Sequence, residues 1–100
     1  MRIYRLTPED RRAKILPIAL KLAVDKGYTN LTVQDVAEAT GLSRGTINHH
    51  FGNVAALRSA VVELALVKRR WPVIAQAVVA KAPEVKDLPA DIRAEALRRV

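Results

Sequence analysis

The sequence contains no cysteine, and this absence narrows the possible fold and chemistry. Without thiols the chain cannot form disulfides or thiolate metal sites, which fits a reducing cytoplasm. Aromatic residues make up only 4% of the chain while 50% of it is hydrophobic, so its core must be mainly aliphatic. No apolar run is as long as a transmembrane span, and the amino terminus lacks the pattern of a secretory signal. We therefore expect one small cytoplasmic domain with no membrane association.

Acidic residues are also scarce relative to basic ones. Ten Asp and Glu residues stand against 17 Lys and Arg residues, which gives a formal net charge of +7. A small domain with this balance favours an anionic partner, and nucleic acid is the first candidate. Charge alone leaves anionic membrane surfaces and acidic proteins open as alternatives.

No strand pattern and no internal repeat is present, and the hydrophobic spacing predicts an all-α bundle of five or six helices. The first helix is expected to begin at Thr7-Pro8 and to end at Gly27. Pro17 lies inside it and predicts a kink or a split near residues 13–17. Later helices are expected up to Gly41, over 43–52, from 53 to about 70, over 73–82 and over 90–100.

Two short predicted helices flank Gly41 and Ser43, and this arrangement is typical of a helix-turn-helix over about 32–51. Gly41 can adopt the positive φ that a tight turn requires, and Ser43 can cap the second helix. Ala37 is small enough for the helices to cross closely, and Ile47 faces inward. The outer side of the second helix would then enter a major groove. A plain helical bundle is the alternative that this pattern leaves open.

The stretch 15–57 reads "ILPIALKLAVDKGYTNLTVQDVAEATGLSRGTINHHFGNVAAL" and resembles the N-terminal DNA-binding domain of the tetracycline-repressor (TetR) family. The matching features follow in order: the Ile15-Leu16 opening, Gly27, "DVAEATGLS", "RGTINHHF" and Leu57. The resemblance implies that the third helix reads the major groove and that the protein is a dimeric repressor. It implies DNA contacts, with capping residues near phosphates, from Thr32, Ser43, Arg44, Gly45, Thr46, Asn48, His49 and His50.

Three departures from the family pattern change these expectations. Asn48 replaces a tyrosine that is usual in the family and can bond an adenine edge. Val54 replaces a frequent lysine, so one phosphate contact is expected to be missing. About thirty residues follow the fourth helix, too few for the family's long ligand domain. We therefore expect no small-molecule effector and no cofactor, as in a reduced regulator of a phage or plasmid.

His49 and His50 are the only histidines in the chain. Adjacent helical residues point about 100° apart, and no acidic or cysteine partner stands at ligand spacing. No serine or carboxylate arrangement for catalysis accompanies them, so we expect neither a metal site, nor catalytic residues, nor enzyme activity. Surface or half-buried helix histidines remain an alternative to our interpretation, which is contact with a base or the DNA backbone.

The two ends of the chain suggest further contacts. Arg2 and Arg5, with Arg11 and Arg12, are interpreted as an arm that reaches the minor groove, although a charged terminus fits equally well. We divide the chain into a DNA-binding domain over 1–70 and a helical segment over 71–100. The second segment is apolar on nearly all sides, which predicts a dimer interface formed by Trp71, Val73, Ile74, Ala77, Val78, Ile92, Ala96 and Leu97.

Together these observations predict a sequence-specific regulator of transcription that binds double-stranded DNA. Repression by a homodimer that occupies an operator is the mode that the resemblance favours. The alternative is a protein-interaction module, in which the same bundle binds a host or partner regulator.

Overall fold

The computed structural model describes residues 7–99, which form six α-helices and two short 3₁₀ turns without a β-strand. The helices are α1 (Pro8–Lys26), α2 (Val33–Thr40), α3 (Arg44–Phe51), α4 (Val54–Lys68), α5 (Trp71–Val79) and α6 (Ala90–Arg98), and the turns are Tyr28–Asn30 and Pro83–Val85. The predicted all-α fold is confirmed. Within residues 7–99 no single helix is long and apolar enough to cross a membrane; α3 and α4 reach that length and composition only when taken together, across a bend of 65°.

Helix α1 is the longest helix of the described chain, and its ends follow the local sequence. The Thr7 side chain accepts a hydrogen bond from the Asp10 N–H, and Gly27, with φ of 90°, ends the helix. Pro17 lies inside α1 without dividing it, so of the predicted kink or split, the split does not occur. Pro17 is exposed, while buried Ile15 and Ala19 on either side of it anchor the helix to the core.

Helices α2 and α3 form the predicted helix-turn-helix, with eight residues in each helix. Thr32 and Asp35 form a capping box at the start of α2, and Ser43 caps α3. Gly41 ends α2 in the left-handed conformation, with φ of 74° and ψ of 13°. A side chain at this position would meet no neighbouring atom, so the backbone angle is what favours glycine here.

A single aliphatic core joins all six helices. Helix α4 runs through its centre and packs against α1, α3 and α5. Its buried face includes Leu57, Val61 and Ala65, none of which exposes any surface. From α3 only Ile47 and Phe51 are buried, which attaches the inner face of that helix to the core.

Helix α5 belongs to the same core, which corrects the predicted role of the carboxyl-terminal segment. Five residues assigned to a dimer interface are 0–7% exposed within the chain itself: Val73, Ile74, Ala77, Val78 and Ala96. The prediction assumed that a chain of this length could not bury them alone. It can, because α1, α4, α6 and the Pro83–Val85 turn surround α5. Of the predicted interface, only Trp71, Ile92 and Leu97 keep appreciable surface.

A polar contact also joins the two predicted domains. The Gln76 Oε1 atom of α5 accepts a hydrogen bond of 3.0 Å from the Tyr28 N–H, just beyond α1. A Cβ atom at Gly27 would lie 3.2 Å from the same Oε1. The core is therefore continuous across the boundary predicted at residue 70.

Candidate nucleic-acid interface

The outer face of α3 is polar and open to solvent. Arg44, Gly45, Asn48 and His49 are exposed, and their spacing places them on one side of the helix. Ile47 is fully buried on the opposite side. This division presents side chains that can hydrogen-bond to base edges while the helix is fixed from behind.

The first turn of α3 is ordered by its own hydroxyl groups. The Ser43 Oγ atom accepts a hydrogen bond of 3.0 Å from the Thr46 N–H and lies 2.9 Å from Thr46 Oγ1. Thr46 is half-buried, while Gly45 between them is exposed. A Cβ atom at Gly45 would meet only Ser43 Oγ, at 3.8 Å. The space next to Gly45 is therefore open to a partner.

An ion pair joins the start of α2 to the end of α1. Asp35 Oδ2 accepts hydrogen bonds from Lys26 Nζ at 2.6 Å and from the Thr32 N–H at 3.0 Å. The hydrogen bond from Lys26, followed by those from Thr32, lowers the pKa of the Asp35 carboxyl group from 3.8 to about 2. The Thr32 hydroxyl group accepts from the Asp35 N–H at 3.0 Å, so its own proton remains available to a partner. Thr32 is exposed, so its hydroxyl group is accessible from solvent.

The two histidines have different surroundings. His49 is exposed, whereas His50 is half-buried and its Nε2 atom is shielded, with no hydrogen-bond partner among residues 7–99. The rings meet edge to face, with centroids 5.6 Å apart. Burial, and then the charges of Arg11, His49 and Arg12, lower the pKa of His50. Because the Nε2 atom of His50 is shielded, it would not make the predicted contact with the DNA backbone in this conformation.

Arg11 and Arg12 do not form an arm, because they lie in the first turns of α1 beside the end of α3. The Arg12 guanidinium group lies 4.9 Å from the centroid of the Phe51 ring, a cation–π contact that joins the two helices. The other residues of the predicted arm, Arg2 and Arg5, lie outside the described residues.

Sequence reasoning missed a groove beside α3 that has a volume of about 560 Å³. It is lined by Thr32, Val33, Gln34, Arg44, Asn48, Val54 and Arg58. Arg58 belongs to the predicted fourth helix, which was described by its inward face, and it is part of no motif. Only its spacing of four residues from Val54 could have indicated that it lies beside the same groove. In the described part of the chain, no group of three or more His, Cys, Asp or Glu residues is placed to hold a metal ion.

A capped helix pair joined by a left-handed glycine, with a polar outer face on the second helix, defines a helix-turn-helix DNA-binding domain. Residues 15–61 match the family described as bacterial regulatory proteins, tetR family. Over these residues the chain matches the family that its resemblance predicted.

Several repressors and regulators are similar to the same segment. The transcriptional repressor AcnR of Corynebacterium glutamicum is 46% identical over 46 residues, which cover 46% of this chain and 24% of AcnR. The repressor KstR2 of Mycolicibacterium smegmatis is 36% identical over 44 residues, or 44% of this chain and 22% of KstR2. The regulator TtgR of Pseudomonas putida is 34% identical over 55 residues, or 55% of this chain and 26% of TtgR.

The aligned part is therefore about a quarter of the length of each of these relatives. No solved structure gives a significant match to the chain.

Proposed function

We propose that this protein is a sequence-specific DNA-binding regulator of transcription, and that it represses by occupying an operator. One observation carries the proposal: the exposed polar face of α3, formed by Arg44, Gly45, Asn48 and His49, is backed by buried Ile47. Such a helix can enter a major groove without any change in the core. The relatives described as repressors support the same function. Such a regulator would act in the cytoplasm.

The residues of the interface would have two kinds of role. Asn48 and Arg44 carry the donors and acceptors that recognise adenine and guanine edges, and we assign base recognition to them and to His49. Thr32 and Ser43 stand at the starts of α2 and α3, where the first-turn N–H groups and the hydroxyl proton of Thr32 favour phosphates. Exposed Gly45 would let the DNA backbone approach α3 closely.

Selection of bound duplexes from a random pool tests this function most broadly. We expect a defined site, and we expect the logarithm of the affinity to fall steeply with the logarithm of the salt concentration, because counterions are released from phosphates. Failure to enrich any sequence, with weak and salt-insensitive binding, would contradict the proposal. It would favour the protein-interaction module, for which the exposed apolar side chains Val67, Val79 and Leu97 offer contacts.

We also propose that the protein binds its operator as a homodimer, because one helix-turn-helix contacts too few base pairs for a specific site. Because much of the predicted interface is buried within the chain, the two subunits would meet through the side chains of α5 and α6 that remain exposed. Val79 is 61% exposed and Leu97 49%, and Trp71 is half-buried beneath the Arg99 guanidinium group, 5.2 Å from its ring centroid. Val79 and Arg99 also line a groove of about 640 Å³ between the end of α1 and α5.

Sedimentation of the wild-type protein and of Val79→Glu tests this dimer. We expect a wild-type dimer at the concentration that binds the selected site, and at least a tenfold weaker dimer for Val79→Glu, since burial of an unpaired carboxylate is costly. The matched control is Val67→Glu, which places the same charge on an 80% exposed residue of α4 and should remain dimeric. A wild-type monomer that binds one half-site as well as two would contradict the dimer.

A further inference from the structure

The groove beside α3 contains an arginine whose position is fixed before any ligand arrives. Arg58 Nε donates a hydrogen bond of 3.0 Å to the Leu31 carbonyl oxygen, which belongs to the residue preceding the Thr32 cap of α2. Arg58 is half-buried, so its aliphatic stem packs while its head remains partly open. A guanidinium group has five N–H donors, and this contact uses one of them. The remaining donors are held at the amino end of α2.

The lining of this groove has the chemistry of an anion site. It combines two guanidinium groups, Arg44 of α3 and Arg58 of α4, with the Thr32 hydroxyl group and the Gln34 and Asn48 amides, and it includes no carboxylate. In residues 7–99 neither arginine forms an ion pair. The first-turn N–H groups of α2 add further donors at the same place.

The first residue of α4 at the groove is uncharged. Val54 lines the groove there, and Arg58 lies one turn later on the same side of α4. Glu84 accepts a hydrogen bond of 2.9 Å from Ser59 Oγ, and no ion pair joins it to Arg58 within residues 7–99. The Arg58 guanidinium group therefore lines the groove without an ion pair from the described part of the protein.

We propose that Arg58 binds a phosphate of the DNA backbone in this groove, next to the bases read by α3. The proposal rests on the proposed DNA-binding function, because a duplex seated on Arg44 and Asn48 brings its backbone past the groove they line. A guanidinium group already held by Leu31 would lose little freedom on binding, and charge-assisted hydrogen bonds to phosphate are the strong ones. This contact would position the protein on DNA without contributing to sequence preference.

The test compares Arg58→Gln, Arg58→Lys and wild type on the selected site and on a random-sequence duplex over a range of salt. We expect Arg58→Gln to weaken both complexes by about the same factor, on the order of tenfold, and to reduce the salt slope by about 0.9. Arg58→Lys should keep the slope. Lys86→Gln, which removes an equal charge outside the groove, should behave as wild type.

Two results would overturn the role of Arg58 while leaving the proposed function intact. One is that Arg58→Gln binds both duplexes with the same affinity and the same salt slope as wild type. The other is a lower unfolding temperature with an unchanged slope, which would show that Arg58 only holds Leu31. If Arg58→Gln does not fold, the Arg58 Nε–H nuclear magnetic resonance signal of wild type replaces the comparison, and no shift on adding duplex would overturn the proposal. If wild type itself binds no duplex, the proposed function fails first.

Discussion

The helix-turn-helix and the α5–α6 pair are built from helices of nearly equal length, yet different forces define them. Helices α2 and α3 have eight residues each, and both are capped at their starts by side chains, Thr32 and Ser43. Helices α5 and α6 have nine residues each, and neither has a side-chain cap at its start. Local sequence thus specifies the first pair, whereas packing specifies the second.

The two regions also use their apolar residues differently. Helix α3 buries only Ile47 and Phe51 and exposes a polar face, so it remains available to a partner. Helix α5 buries five of its nine residues against neighbours on several sides. An apolar segment therefore indicated a core in this chain, and the surface that is free for contacts lies on the amphipathic helix.

The largest expected effect tests whether α5 stabilises the whole chain. Ile74→Ala should lower the free energy of unfolding by about 2–5 kcal/mol, because Ile74 is fully buried and its loss leaves a cavity. Urea unfolding should remain a single transition, since the core is continuous with the helix-turn-helix. The control Val67→Ala, at an 80% exposed position of α4, should change the free energy of unfolding by less than about 0.5 kcal/mol. Two separate transitions in wild type would show instead that α5 folds independently.

A smaller effect is expected from the capping box of α2. Asp35→Ala removes the acceptor of both Lys26 and the Thr32 N–H and should cost about 1 kcal/mol, most of it from the cap, since exposed ion pairs contribute little. Asp25→Ala, at an exposed acid of α1, is the control and should be nearly neutral.

The pH dependence of the cap follows from the pKa of Asp35, which is lowered from 3.8 to about 2. Its stabilisation should be present above pH 3.8 and lost as pH falls toward 2, and Asp35→Ala should lack this dependence. Equal acid unfolding curves for Asp35→Ala and wild type would contradict this account of the cap.

The smallest effect concerns the junction of α1 and α3. Burial lowers the pKa of His50, with Arg11, His49 and Arg12 acting in the same direction. As pH falls below the unfolded value of 6.5, the unfolded chain binds a proton more readily than the folded one, so stability should decrease. His50→Gln should reduce the loss of stability between pH 7.5 and pH 5.5, measured by urea unfolding, whereas His49→Gln, which retains His50, should keep it. An unchanged loss in His50→Gln would assign it to other groups.

The ends of the helix-turn-helix could be predicted because Gly41 and Ser43 act on their own neighbours in the chain. The continuity of α1 through Pro17 could not be predicted in this way, because it depends on the packing of Ile15 and Ala19 in the core. The burial of Val78 depends on helices far away in sequence, and hydrophobic pattern alone does not distinguish a core from an interface. The groove at Arg58 also arises only when α2, α3 and α4 come together. The assignment of individual DNA contacts on α3 stays a prediction.

The central claim is that the exposed face of α3 reads DNA sequence, and Asn48 tests it most directly. Asn48→Ala and wild type should be compared by gel shift on the selected site and on a random-sequence duplex at one salt concentration. We expect Asn48→Ala to lose about 1–3 kcal/mol on the selected site and almost nothing on random DNA, with relaxed preference at one or two base pairs. Equal losses on both duplexes, or no loss on either, would contradict base recognition by this face.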